Sequence, residues 1–289
     1  MTDIEKRGSM DSTVLSSTSK AHSLWTYLNT EVDPNQSTIP LAAFCFMTGF
    51  IDSISFSSVF VWCGFQTGNF VQLSLALARL FNTNTSPGGT VDHTFHKADQ
   101  QALTSLIAFN IGAFLGRLGD RIGPHRRIWL VLGTFVQTLF TMAAAVAIWK
   151  SGQASVADER GDPSWTDLLT FVCLAFMSMS LGTQGIIGKR LNTQFTTTIV
   201  LTTVWVELMA DPNLFKRKKV ISRDHKLIAA SCLFLGGFVS RAILDKVGSA
   251  GALGVGTGVR MLVTISWLLV PGKKVAGGVQ DAGKGAIAK

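Results

Sequence analysis

The chain has 289 residues, of which 15% are Asp, Glu, Lys or Arg and 47% are hydrophobic, whereas about 25% of an ordinary soluble protein is charged. That is too little charge to wet a soluble surface, and 19 Phe, 7 Trp and 28 Gly beside one Tyr and 7 Pro fit an all-α, polytopic helical membrane protein. The composition excludes a disordered chain and a secreted disulfide scaffold. The net charge of +8 does not point to nucleic acid, because the basic residues collect in short stretches between apolar runs.

Residues 1–38 are rich in Ser and Thr, mix both charges and lack an apolar run, so a disordered cytoplasmic tail is expected. No basic start leads into an apolar stretch there, so insertion is expected to begin with the first span after Ile39. Eight apolar segments follow, over 39–62, 66–81, 103–118, 128–148, 168–188, 191–209, 227–244 and 250–270. About 20 apolar residues are needed to cross the hydrocarbon layer as a helix. The segments 128–148 and 168–188 carry no charge at all. Arg117 and Arg241 stand near the ends of their segments as snorkelling arginines, and the 251–258 stretch is glycine-rich enough to suggest irregular backbone. Cys45, Cys63, Cys173 and Cys232 all lie in apolar segments with no close pair, so buried thiols are expected.

Loop charges set an orientation. Lys216, Arg217, Lys218, Lys219, Arg223 and Lys226, the turn with Arg121, Arg126 and Arg127, and the basic tail 271–289 are expected in the cytoplasm. The acidic stretch 150–167 and the stretch 81–101 are expected outside. Eight full crossings cannot satisfy these assignments. Six net crossings can, if 39–81 and 168–209 each contain one span plus a re-entrant or broken helix lining a polar interior.

An internal repeat points the same way. Gly112, Arg117, Asp120, Arg121 and Gly123 are echoed by Gly237, Arg241, Asp245, Lys246 and Gly248 at a spacing near 125, with Arg241 one position out of step. Gly49 to Asp52 with Thr67, Gly68 and Asn69 has a rough counterpart in Gly182 to Gly185 with Thr202 and Thr203. The membrane domain 39–270 then divides into halves of about 39–149 and 167–270, inverted in the membrane as in many secondary transporters.

The stretch from Thr48, Gly49 and Asp52 to Phe56, followed by Gln66, Thr67, Gly68, Asn69 and Phe70, resembles the signature of the YoaK-like family of membrane proteins of unknown function. The resemblance extends over roughly 39–270, including 175–207 and the helix exit 112–123. It departs in the second half, at Gly182, Thr183, Gln184 and Gly185 and at Thr202 and Thr203. It implies a multi-pass membrane protein and brings no established activity.

Four ionisable residues fall at membrane depth: Asp52, Glu207, Arg241 and Arg260. Such groups cost about 2.5 to 3.5 kcal/mol each and usually pair or face a cavity. Their charges sum to zero, so pairs such as Asp52 with Arg260, or Glu207 with Arg260, are expected unless these groups serve a substrate or a proton. Asp52 stands beside Ser53, Ser55, Ser57 and Ser58. A helix start at Gln66, Thr67, Gly68 and Asn69 offers backbone N–H groups and capping side chains that suit an anion, or Thr67 or Asn69 simply caps a broken helix. Thr196, Thr197, Thr198, Thr202 and Thr203 stand in the matching half. Gly112 and Gly116 fit close helix packing, within the chain or in an oligomer. His93 and His96 with Asp92 and Asp99 have a spacing that a metal could use, but a polar loop of this kind is expected to leave them exposed, so no metal site is assigned. The 216–226 stretch suits anionic lipid.

No nucleotide, zinc-protease or nucleophile-elbow fingerprint is present, so neither an enzyme nor a cofactor is expected. Two function classes fit. One is a small-solute or ion transporter with Asp52, Gln66, Thr67, Gly68, Asn69 and Gln184 lining a midplane site; the other is a non-transporting scaffold or accessory protein. The partners expected are the lipid bilayer and a small molecule or ion, and the plasma membrane is the default location, with an internal membrane as the alternative. The orientation is checked by an epitope tag between Gly88 and His93, which should be reached by antibody in intact cells; labelling only after permeabilisation would invert it.

Overall fold

The computed structural model describes residues 23–81, 94–159 and 162–273. Its helices are α1 (Thr38–Val59), α2 (Gln66–Leu80), α3 (Lys97–Gly116), the short α4 (Leu118–Ile122), α5 (Arg127–Ser151), α6 (Leu168–Leu191), α7 (Leu201–Met209) and α8 (Ile221–Leu269), and among the described residues there is no strand. Five stretches, α1, α3 with α4, α5, α6 and α8, are long and apolar enough to cross a membrane. At 1.5 Å per residue, helices of 22 to 25 residues such as α1, α5 and α6 extend about 33 to 38 Å, enough for a hydrocarbon layer of about 30 Å.

The 49 residues of α8 are two crossings. Gly248 has φ 69° and ψ 179° inside it, a conformation open to glycine alone. The first leg begins beside α1, where Thr38 Oγ1 lies 3.4 Å from His225 Nε2. The second ends where Pro271 O accepts from Asp33 N at 3.0 Å and Glu31 O accepts from Lys273 N at 2.8 Å. Both ends of α8 therefore lie at one end of the bundle. At the other, Ser249 N donates to Ser155 Oγ at 2.8 Å, and Ser58 Oγ donates to Ser155 O at 2.6 Å. The legs 221–247 and 249–269 make a hairpin, giving six crossings. The glycine-rich 251–258 stretch, expected to be irregular, is regular helix within the second leg.

The basic end of the bundle gathers Arg121, Arg126, Arg127, Lys189, Arg190 and the 216–226 stretch, and the opposite end holds the 151–167 connection with Asp158, Glu159, Asp162 and Asp167. Residues 23–38, grouped with the disordered tail in the sequence, are structured here: a helical turn over 23–29 and a 3₁₀ turn at Pro34–Gln36 are tied down by Arg127. That side chain, 1% exposed, donates to Tyr27 O, Thr30 Oγ1, Trp267 O and Val270 O at 2.9, 2.5, 3.3 and 2.6 Å, and its guanidinium lies 3.9 Å from the Tyr27 ring centre. A long-range set of carbonyls explains the order, which local composition does not encode.

The inverted repeat rests on two helix crossings. α1 packs on the first leg of α8, and α3 packs on α6. A Cβ on Gly49 would stand 1.9 Å from Leu233 O and 3.0 Å from Gly237 N, and one on Gly182 would stand 2.1 Å from Phe109 O and 2.9 Å from Ala113 N. A Cβ on Gly236 would meet Phe46 O at 1.9 Å, and one on Gly112 would meet Met179 O at 2.2 Å. These crossings correspond residue for residue, at a spacing of 133 between α1 and α6 and of 124 between α3 and α8. The register of 124 puts Arg117 and Arg241 in step, and Asp245, Lys246 and Gly248 are the residues displaced by one. It also places the Gly112 and Gly116 pair inside the chain, against Met179 and Ile186 of α6.

Helices α2 and α7 are the added pieces. From the far end of α1 the chain turns back over 60–65 and enters α2, whose first turn lies beside Ser105 and whose Arg79 ion-pairs with Asp99 near the start of α3. From the basic end of α6 it turns back over 192–200 into α7, which packs on α8. The re-entrant segments thus open from opposite ends. Alanine at Gly49 or Gly182 should lower unfolding stability in detergent by about 1 to 3 kcal/mol through overpacking. Gly254→Ala, where a Cβ meets nothing within 4 Å, should be neutral or stabilising by up to about 1 kcal/mol.

Candidate functional site

Asp52 lies two turns before the end of α1, 1% exposed. Its Oδ1 accepts from Cys63 N at 2.7 Å and Gly64 N at 2.8 Å, and a Cβ on Gly64 would stand 2.8 Å from Oδ2. The carboxylate therefore takes up two peptide donors that the break between α1 and α2 frees. Oδ2 is buried with no hydrogen-bond partner among the described residues.

Gln66 and Asn69 hold the same segment from its other side. Gln66 Nε2 donates to Cys63 O at 2.7 Å and Ser105 Oγ at 3.0 Å. Asn69 Nδ2 donates to Trp62 O at 2.6 Å and its Oδ1 accepts from Trp62 N at 3.2 Å. Ser105 Oγ donates to Trp62 O at 2.7 Å and lies 2.9 Å from Ser178 Oγ of α6. Neither Thr67 nor Asn69 caps α2; its N-cap is Phe65, without a side-chain bond. Thr67 and Gly68 are exposed on its first turn.

Gln184 serves the second break. Its Nε2 donates to Thr48 Oγ1 at 2.8 Å, Phe44 O at 3.0 Å and Thr198 Oγ1 at 3.1 Å, and Thr48 Oγ1 donates to Thr198 O at 3.0 Å. Thr48 is one turn before Asp52, so α1 carries both anchors. Thr196 and Thr198 have φ of 53° and 61°, left-handed backbone that is uncommon for a β-branched residue and costs about 1 to 3 kcal/mol. Asp52, Gln66 and Asn69 thus meet around one break and Gln184 and Thr198 around the other.

The expected ion pairs among the four intramembrane charges do not form. Glu207 Oε2 pairs with Lys226 Nζ at 3.2 Å and Arg241 Nη1 with Asp245 Oδ1 at 2.8 Å, with the Glu207 and Arg241 side chains 43% and 44% exposed. Both sit where α7 and the first leg of α8 leave charged neighbours within reach. Asp52 is engaged by backbone, and Arg260, 0% exposed, donates from Nη1 to Gln137 Oε1 at 2.5 Å.

Arg260 lies near the middle of the second leg of α8 and Gln137 near the middle of α5. Its Nε and Nη2, and Gln137 Nε2, are buried with no partner among the described residues. Hydroxyls around them are committed: Thr141 Oγ1 donates to Gln137 O at 2.9 Å, Thr264 Oγ1 to Arg260 O at 2.9 Å and Thr138 Oγ1 to Thr134 O at 3.0 Å. Sequence reading marked Arg260 but missed Gln137, whose only signal was a polar residue inside the uncharged 128–148 segment.

No group of three His, Cys, Asp or Glu able to hold a metal occurs among the described residues. Asp99 pairs with Arg79, and Asp92 and His93 lie outside the described residues, as do Asn84 to Ser86. Cys45, Cys63 and Cys173 are buried free thiols and Cys232 is half-buried.

Residues 41–266 match the family model described as "Protein of unknown function (DUF1275)". The chain belongs to this family. No curated protein and no solved structure matches it. The matched stretch runs from the first turn of α1 to the last turn of α8 and takes in both re-entrant segments. Membership agrees with the YoaK-like resemblance, and the long apolar helices make the chain an integral membrane protein.

Removing the Asp52 acceptor should be costly. Asp52→Ala strands two buried N–H groups and should lower unfolding stability by about 2 kcal/mol or more, whereas Asp52→Asn, which retains Oδ1, should keep most of it. Equal loss in both variants, measured by thermal unfolding in detergent, would show that charge and not the acceptor matters.

Proposed function

We propose that the protein is a small-solute or ion transporter with a polar site near the middle of the bilayer. The observation that carries this reading is the pair of broken helices that open from opposite ends of the bundle, joined by two equivalent glycine crossings. Broken helices in inverted halves are the framework on which many secondary transporters alternate access around a central site. Helices in backbone contact through glycine slide with little side-chain repacking, which suits rocking of one half against the other.

Two further features support it. Asp52 and Arg260 are buried charges without an ionic partner, and isolated charges at membrane depth are expensive enough to be rare outside substrate and ion pathways. The left-handed Thr196 and Thr198 store backbone strain at the second break, the kind of site where strain accompanies function. Asp52, with one oxygen bound and the other bare, is the group through which a proton would couple. The scaffold reading draws on one fact: Gln66, Asn69 and Gln184 are already spent on holding the breaks.

The two are separated by reconstituting the full chain in proteoliposomes and measuring solute-driven flux or proton movement over a panel of small metabolites and ions. Transport predicts saturable flux of at least one compound, lost in Asp52→Asn although that variant folds. No flux for any compound from protein that is folded and inserted would favour the scaffold.

A further inference from the structure

The guanidinium of Arg260 is bonded on one nitrogen only, and the two left over form a defined edge. Nε–H and Nη2–H of an arginine point the same way, 2 parallel donors matched to 2 oxygens of a carboxylate or similar oxyanion. This chain shows what that edge does when an oxyanion is in reach: Arg190 donates from Nε and Nη2 to Oδ1 and Oδ2 of Asp120, both at 2.7 Å. It also shows how a buried guanidinium is satisfied without one, since Arg127 has four acceptors. Arg260 has neither arrangement. Its Nε and Nη2 are buried without an acceptor, and Gln137 Nε2, on the residue that holds its third nitrogen, is a further unmatched donor.

Among the described residues, three buried N–H-bearing atoms without acceptors and one cation without a counter-charge make a surplus of donors and of positive charge on the Arg260–Gln137 pair. The Thr138, Thr141 and Thr264 hydroxyls each donate to a helix carbonyl and none accepts from these nitrogens; a neutral acceptor would in any case leave the charge of Arg260 unmatched. The group that matches both the donors and the charge is negative, carries at least two oxygens and is small. We propose that the Nε–Nη2 edge of Arg260, whose guanidinium Gln137 anchors through Nη1, is a binding site for a small oxyanion, a carboxylate or an inorganic oxyanion of the same fork geometry. The inference rests on the transport reading for the route of entry, because solvent does not reach Arg260 in this arrangement and the halves must move to admit the ion. The chemistry of the edge does not depend on that reading.

The test is thermal unfolding of the detergent-purified full chain at constant ionic strength in acetate, nitrate, sulfate and chloride, on wild type, Arg260→Lys and Gln137→Glu. A ligand that binds only the folded state raises its midpoint in a concentration-dependent way. Wild type should rise by several degrees, saturably, in at least one oxyanion and not in chloride, which has a single centre and cannot use both donors. Which of acetate, nitrate or sulfate acts distinguishes an organic from an inorganic ion. Arg260→Lys keeps the charge but loses the fork, so the shift should disappear. Gln137→Glu supplies the missing negative charge from within, so its midpoint without added oxyanion should be higher than wild type and the response lost.

An equal response to chloride and oxyanions, no response in wild type, or a response that persists in either variant overturns the site. Should Arg260→Lys fail to fold, the raised baseline and lost response of Gln137→Glu decide, together with the selectivity of wild type itself. Flux of the stabilising ion in proteoliposomes separates the two proposals. Binding without flux leaves the oxyanion site standing and removes transport, while flux of another solute without oxyanion binding removes the site and leaves transport.

Discussion

Peptide groups that leave a helix inside a hydrocarbon layer must find partners within the protein, because no water is there to take them. This chain leaves helix twice at depth, over 60–65 and 192–200, and much of its buried polar chemistry answers that demand. Asp52 accepts two freed N–H groups, Gln66, Asn69 and Ser105 accept and donate around Trp62, and Gln184 with Thr48 fixes Thr198. The anchors of both breaks converge on α1, whose Thr48 and Asp52 are a single turn apart. The Asp52 side chain suits the first break because one oxygen takes two backbone donors.

The glycine crossings set where those breaks can be. Backbone lies against backbone at Gly49 and Gly236, and again at Gly112 and Gly182, so α1 meets the first leg of α8, and α3 meets α6, at a distance set by hard contact. Such contact has no side chains to interlock and therefore constrains distance more than sliding. The breaks are held tightly by directional hydrogen bonds, while the crossings between helices are smooth.

Arg127 and Arg260 show how position decides the meaning of a buried arginine. Arg127 sits at the basic end where helix termini leave carbonyls without intrahelical donors, and it closes the gap between residues 23–33, α5 and the end of α8. Arg260 stands mid-helix, where every nearby carbonyl is already used by the helical ladder, and only the side chain of Gln137 reaches it. Burial of a guanidinium on those terms costs several kcal/mol.

Hydropathy and loop charge were enough to read an all-α membrane protein with six crossings and broken helices, because helix length, lipid exposure and charge asymmetry are local, additive properties of a segment. The same reading picked Asp52, Gln66, Asn69, Gln184 and Arg260 as important by residue type and depth. The ion pairs it allowed among those charges do not form, since counting charges to zero ignores which faces of which helices meet, and it ended the disordered tail at residue 38 because the partners of 23–33 lie at 125–127 and beyond residue 266. Thr67 and Gly68 looked equal to Asn69 in sequence, yet the rotation of α2 buries only Asn69. The register of the repeat, the hairpin at Gly248 and the meeting of Gln137 with Arg260 were decided by tertiary structure alone, because each depends on contacts between segments far apart in the chain, and a hydrophobic pattern says that a helix is buried without saying against what.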